Sequence, residues 1–288
     1  MGHHLGKVSY DPYDPLDFKI WLLSRYSKSY AVNIFRYARK YEAMLIGDLR
    51  DLWKLSPNVQ DYVIKALIAL SKYLGIYEEF RSKLKQYGVK WTKQSSFNSF
   101  LRILNSSDND VLEWLREAGR ALNPSERMFL RFCLLTGLRK SEAIISFNKI
   151  IALSKEGKLS EYYDDELNCL LHFKFSKEFI RRTKNCFISF IPRELLKQIQ
   201  HSKPVSYNAI RKKLERRNIP VRINELRDFF GTYLLQHGLL EAEVNLLQGR
   251  LPASVFIRHY WTPKLSELRD KVLKAIETLQ KETLTILS

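Results

Sequence analysis

Thr136, Gly137, Leu138, Arg139, Lys140, Ser141 and Glu142 form a run in which an arginine stands two residues after a helix-ending glycine. A tight turn between two helices would fix that guanidinium, with Glu142 able to support it from the second helix. A guanidinium held this way is a two-pronged donor matched to phosphate oxygens. A second arginine, Arg227, comes after Asn224, Glu225 and Leu226, in the first turn of an expected helix. Free backbone N–H groups and the macrodipole already favour an anion there. Further on, Leu247, Gln248, Gly249 and Arg250 close another helix with a glycine and a basic residue, and Tyr260 stands in the run Arg258, His259, Tyr260, Trp261. Singly, each of these residues reads as an ordinary surface ion pair or a packed tyrosine. Their order along one chain is what points to phosphate chemistry.

The elements that must position them are mostly helical. Asn123 as a cap and Pro124 in the first turn announce a helix over 124–135, closed by Gly137, and another is expected over 110–119. Leu167 to Phe175 and Cys186 to Pro192 are β-prone runs, separated by the basic segment Ser176 to Asn185; together they predict a hairpin with a long charged turn. Helical patterns return from Ser206, from Asn224 and from Leu239. The tail beyond Pro263 places Leu265, Leu268, Val272, Ala275, Ile276 and Leu279 on one face of an amphipathic helix.

Before the polar stretch Lys90 to Asp110, the chain reads as a small helical bundle. Val32, Phe35, Ala38 and Met44 with Leu45 recur near helical spacing, as do Val63, Leu67, Leu70 and Leu74, with Gly75 as a stop signal. Aromatic and basic residues interleave from Tyr26 to Tyr41, a pattern suited to tracking phosphates, although a solvated helix face reads the same way. The polar stretch is rich in turn formers, and the domain boundary is expected near residue 105.

The balance of 48 Lys and Arg against 31 Asp and Glu, a formal net charge of +17, makes a polyanion the first partner to consider. Cys133, Cys169 and Cys186 are odd in number and mostly flanked by apolar residues, which suggests buried thiols rather than a disulfide framework or a metal site. No stretch reaches the roughly 18 uninterrupted apolar residues of a membrane span, and the first ten residues lack a signal-like apolar core. No Walker loop and no zinc-ligand spacing is present, so neither a metal nor another cofactor is expected.

The series of a Thr-Gly-Leu-Arg turn with a following glutamate, a basic hairpin turn, an arginine at a helix start, a Leu-x-Gly turn and a tyrosine resembles the tyrosine recombinase, or phage-type integrase, family. The interval from Arg227 to Arg250 matches that family's usual separation. The interval from Arg250 to Tyr260 is one residue longer than in most bacterial members. With arginine at position 250 in place of the usual histidine or tryptophan, it looks more like the integrases of archaeal viruses and plasmids. Asn224 also departs from the family's usual histidine or lysine; asparagine can donate to a phosphate oxygen but cannot act as acid or base near neutral pH. The resemblance covers residues 106–270 well and 13–105 only in general character.

The resemblance implies a mainly α protein, with a helical core-binding, DNA-clamping domain over 1–105 and a mixed α+β catalytic domain with a small sheet over 106–288. Tyr260 would be the nucleophile, forming a 3′-phosphotyrosine. Arg139, Arg227 and Arg250 would surround the phosphate, with Asn224 as an accessory donor. A lysine of the hairpin turn would act as general acid, with Lys177 favoured, Lys184 next and Lys174 third; His172 and His259 are bystanders. The implied activity is site-specific recombination that integrates or excises a mobile element, without ATP or divalent cation. The partner is double-stranded DNA at attachment sites, bound by a homo-tetramer on paired sites, with a monomer allowed off DNA. The place of action is the cytoplasm, at the nucleoid. Xer-type dimer resolution, type IB topoisomerase-like relaxation and a degenerate DNA-binding regulator are the alternatives. The tail helix would dock on a neighbouring protomer or pack on its own.

Overall fold

Local capping chemistry sets the helix boundaries in the computed structural model, which describes residues 12–89, 108–181, 184–250 and 263–287. The chain divides into two compact units, residues 1–101 and 102–288. The boundary expected near residue 105 lies outside the described residues.

In the first unit, α1 (Pro15–Arg25) opens with the Asp14 side chain accepting from the Leu16 N–H and proline at the first helical position. It is followed by α2 (Lys28–Tyr41), α3 (Pro57–Tyr73) and α4 (Tyr77–Gln86). Phe18, Leu22, Ile34, Val63, Leu67, Leu70 and Phe80 form the core of this bundle. The buried stripe of α2 is Ala31, Ile34 and Ala38, while Val32 is 45% exposed. The expected face is thus shifted by one position, because small alanines let α2 lie close against α3 and turn Val32 to solvent. Gly75, at φ +76, reverses the chain between α3 and α4 as its position predicts.

In the second unit, α5 (Asp108–Ala121) precedes α6 (Pro124–Thr136). Asn123 and Glu126 cap α6 reciprocally, side chain to backbone N–H in both directions. Next come α7 (Lys140–Lys155), α8 (Arg193–Gln200), α9 (Tyr207–Glu215), α10 (Glu225–Gln236), α11 (Glu241–Leu247) and α12 (Leu265–Leu287). The fold is mainly helical, with one small antiparallel sheet in this C-terminal half, as the sequence implies.

That sheet has the order β1-β2-β3, from Tyr163–Asp164, Cys169–Leu170 and Ser189–Phe190. Tyr163 faces Leu170, and Cys169 faces Phe190. The two β-prone runs therefore pair, but far less of them is strand than their composition suggests. His172 to Phe175 is a 3-10 helix and Ser176 to Phe179 one α-helical turn. The reason is the burial of His172: its ring lies between the Tyr162 hydroxyl at 2.6 Å and the Ser189 hydroxyl at 2.9 Å, and packs on Phe179. A straight strand could not also carry Phe173 and Lys174 outward together, as found here. Beyond the turn, Ile180 pairs with Asn185 in an isolated antiparallel bridge.

The tail forms α12, with Leu268, Val272, Ala275, Ile276 and Leu279 buried. Leu265 stays partly exposed, and the stripe packs on α5 and α6 of its own chain. The apolar face expected to dock on a neighbour is thus covered within one chain. All three cysteines are free and buried, as expected from their apolar flanks. Among the described residues, no helix is long and apolar enough to cross a membrane.

Candidate active site

Gly137 allows the first arginine its position. Its φ of +59 ends α6 in the left-handed conformation, and a Cβ there would lie 2.2 Å from the Phe230 ring of α10. Arg139 then becomes the N-cap of α7. Glu142 reaches back one turn: one carboxylate oxygen accepts the Arg139 backbone N–H at 3.1 Å, the other accepts its Nη1 at 2.8 Å. The same Nη1 donates to the Asn185 carbonyl at 3.1 Å. Glu142 is buried, so this carboxylate has left water for guanidinium partners.

Arg227 is the third residue of α10 and is buried. Its Nη1 donates to the Gly137 carbonyl at 2.8 Å and its Nη2 to the Gln248 carbonyl at 2.6 Å. Gln248 returns a bond from Nε2 to the Arg227 carbonyl at 3.1 Å. One guanidinium thus ties the turn before α7 to the turn after α11. The second turn needs its glycine as much as the first. Gly249 has φ +65, and a Cβ there would meet the Asn185 carbonyl oxygen at 1.8 Å. Arg250 follows with an exposed side chain and its N–H on the Asn245 carbonyl at 2.7 Å. Asn224 lies beside the first turn, with Oδ1 3.5 Å from the Lys140 N–H.

Burial pushes the Arg227 guanidinium down to about 10, with the neighbouring charges of Arg139 and Arg250 adding to the shift and Glu142 opposing it. It remains protonated at neutral pH. The sign of the shift matters more than its size: Arg139 and Arg250 sit close enough to disfavour the charge on Arg227, an arrangement that an anion would relieve. Such charge, fixed before a substrate arrives, stabilises developing negative charge without reorganisation.

The structure brings together Arg139, Arg227, Arg250 and Asn224 from segments far apart in the chain. Of the lysines, Lys184 is exposed and directly precedes Asn185, whose carbonyl receives Arg139. Lys177 is exposed on the helical turn 176–179 beside Glu178, which pairs with Lys149 at 3.0 Å; Lys174 is exposed one turn earlier. Tyr260 and His259 lie outside the described residues. His172, expected to be a bystander, is a buried core residue. Tyr233 packs its ring on Phe229 and His237.

Two participants were not evident from the sequence. Arg181 donates from Nη2 to the same Glu142 oxygen that Arg139 uses, at 2.8 Å. Asn185 offers its main-chain carbonyl to Arg139. Arg181 is one basic residue among several in its segment, and a carbonyl leaves no side-chain signature, so neither carried a signal to read.

The family model for archaeal phage integrases matches residues 103–276, more than half of the chain. The chain belongs to the archaeal phage integrase family. The matched span contains Arg139, Asn224, Arg227, Arg250 and Tyr260, and it takes in most of the second unit. Among curated proteins, no significant match is found. Membership in this integrase family implies site-specific integration or recombination as the class of activity, and DNA as the molecule bound.

Proposed function

We propose that this integrase cuts and rejoins DNA at attachment sites through a 3′-phosphotyrosine on Tyr260, integrating or excising a mobile element. The observation that carries the reading is the convergence of Arg139, Arg227 and Arg250 on one cluster, with surplus positive charge around a buried guanidinium. Tyr260 Oη attacks the scissile phosphorus, the O–P bond forms, and the bond to the 5′-oxygen breaks. The three arginines and Asn224 hold the phosphoryl oxygens as charge builds on them. A lysine gives its proton to the departing 5′-oxygen. Lys184 is the better candidate than Lys177, because its neighbour Asn185 is bonded into the arginine cluster, whereas the turn bearing Lys177 has its acidic residue paired to Lys149. The phosphotyrosine retains the energy of the broken bond, and attack by a 5′-hydroxyl of the partner strand reverses the step, so neither ATP nor a divalent cation enters the chemistry.

Exchange between two duplexes requires four such cleavages, which calls for a homo-tetramer on paired sites. The first unit would clamp the duplex as the core-binding domain, and the second would carry catalysis. In the first, Tyr37 stacks on Tyr62 at 5.5 Å, Arg36 lies over Tyr37 at 5.1 Å and Lys40 over Tyr41 at 5.3 Å, a basic and aromatic face suited to phosphate contacts. Action on the chromosome follows, at the nucleoid in the cytoplasm.

The test is a nicked duplex suicide substrate carrying an attachment site, incubated without metal and resolved on a denaturing gel. Wild type should give a covalent protein–DNA band and Tyr260→Phe none. A band with both proteins would move the nucleophile elsewhere. Binding without a band from either would replace the enzyme by a DNA-binding regulator.

A further inference from the structure

Glu142 carries more positive charge than Arg139 alone requires. Its Oε1 accepts from Arg139 Nη1 and from Arg181 Nη2, both at 2.8 Å, while Oε2 holds the Arg139 backbone N–H. Arg139 is already fixed by that carboxylate and by the Asn185 carbonyl. A second arginine adds little to its orientation.

What Arg181 does hold is its own segment. Its backbone N–H donates to Asn185 Oδ1 at 3.0 Å, beside the bridge between Ile180 and Asn185. Its guanidinium reaches across to α7. Glu142 is about 1% exposed and Arg181 42%, so the anchor is a rigid buried carboxylate and the tethered group is at the surface. Lys184 lies in the chain between Arg181 and Asn185, the residues that carry these attachments, and is exposed. We propose that Arg181 is a positioning residue: by tethering the basic turn to Glu142, it delivers Lys184 to the leaving 5′-oxygen. The inference rests on the phosphotyrosine reading and deepens it.

Removing Arg181 should leave the fold intact, because Glu142 keeps both of its bonds to Arg139 and is never left as an unpaired buried charge. A lysine at 181 keeps the charge but lacks the planar fork, and should restore only part of the tether. A displaced catalytic group can cost on the order of a hundredfold in rate even when nothing else changes.

A sulfur in place of the bridging 5′-oxygen separates positioning from the other possibilities. A thiol, with a pKa of about 8.5, leaves as thiolate without needing a proton donor. Cleavage of nicked suicide duplexes with bridging oxygen or bridging sulfur would be timed for wild type, Arg181→Ala and Arg181→Lys, alongside DNA affinity and thermal melting. The expected result is a loss of about tenfold to a hundredfold for Arg181→Ala on the oxygen substrate. The sulfur substrate should be cut within about twofold of wild type, Arg181→Lys should fall between, and melting and affinity should be unchanged. Equal rates for Arg181→Ala and wild type on oxygen overturn the inference, as does the same deficit on both substrates, which would assign Arg181 to phosphate binding or to Arg139. Wild type that cuts neither substrate overturns the phosphotyrosine reading and the inference with it, whereas a covalent product from wild type that Tyr260→Phe lacks leaves that reading standing whatever Arg181→Ala does.

Discussion

Among the described residues, Lys83 in the first unit and Arg227 in the second are cations buried against main-chain carbonyls, and their surroundings differ. In the first, Lys83 points its Nζ at the carbonyls of Met44, Leu45 and Gly47, closing the end of the helical turn Ala43–Ile46. In the second, Arg227 donates to the carbonyls of Gly137 and Gln248. Burial lowers the pKa of both. Around Lys83 the further charge is that of Asp48, which favours the ammonium, whereas around Arg227 two guanidiniums disfavour the charge and Glu142 opposes them. Lys83 is therefore satisfied where it stands, and Arg227 lies among further guanidiniums, which on the proposed reading await a phosphate. Burial of a cation alone is a structural feature; burial beside like charges marks a candidate functional one.

The strongest test of this contrast exchanges the roles. Arg227→Lys keeps a charge but loses one of two carbonyl bonds and the fork, so cleavage should fall by roughly 10²–10³ with modest change in DNA affinity. Lys83→Met should leave cleavage per folded molecule alone and reduce unfolding free energy by ~1–3 kcal/mol, since carbonyls lose their donor. Denaturant titration and suicide-substrate kinetics on both variants check it; a cleavage defect in Lys83→Met beyond its stability loss would break the contrast.

Glycines sharpen it at a smaller scale. Gly249→Ala drives a methyl into the Asn185 carbonyl and should displace the segment that carries Lys184, slowing cleavage by about tenfold or more. Gly75→Ala meets open space and incurs only the strain of its positive φ, about 1 kcal/mol, visible in thermal melting and absent from cleavage rates.

His172 supplies a pH dependence confined to the acid side and absent at neutral pH. Burial holds its folded pKa down to about 3, against an unfolded value near 6.5. Between those values the unfolded chain binds a proton the folded chain refuses, so stability is full above the unfolded value and is lost as pH falls toward the folded one. The loss approaches ~1.4 kcal/mol per pH unit at its steepest. His172→Gln, which cannot titrate, should flatten the acid limb of a stability profile between about pH 6 and 4; an unchanged slope would show that the ring is protonated in the fold.

Much of this was legible beforehand where the physics is local. Asn123, Pro124 and Glu126 lie within one turn of one another, so their cap needs no partner from elsewhere, and the same holds for Gly137 and for the apolar stripe of α12. The order of Arg139, Arg227, Arg250 and Tyr260 was likewise enough to name a family. Where a residue's state depends on what packs against it, the linear pattern misled or fell silent. Val32 turned outward because α3 meets alanines, and His172 bent a β-prone run into a 3-10 helix because Tyr162 and Ser189 hold its ring. The strand expected to run up to Lys177 ends at Leu170, and Lys177 stands on a helical turn instead. Sequence alone determined the helix signals, the basic charge and the identity of the arginines. Tertiary structure alone decided that Arg227 ties two turns together, that Asn185 offers its carbonyl to Arg139 and that Arg181 shares Glu142, because each of those bonds joins residues twenty or more positions apart and spends a main-chain or carboxylate oxygen that any sequence would contain.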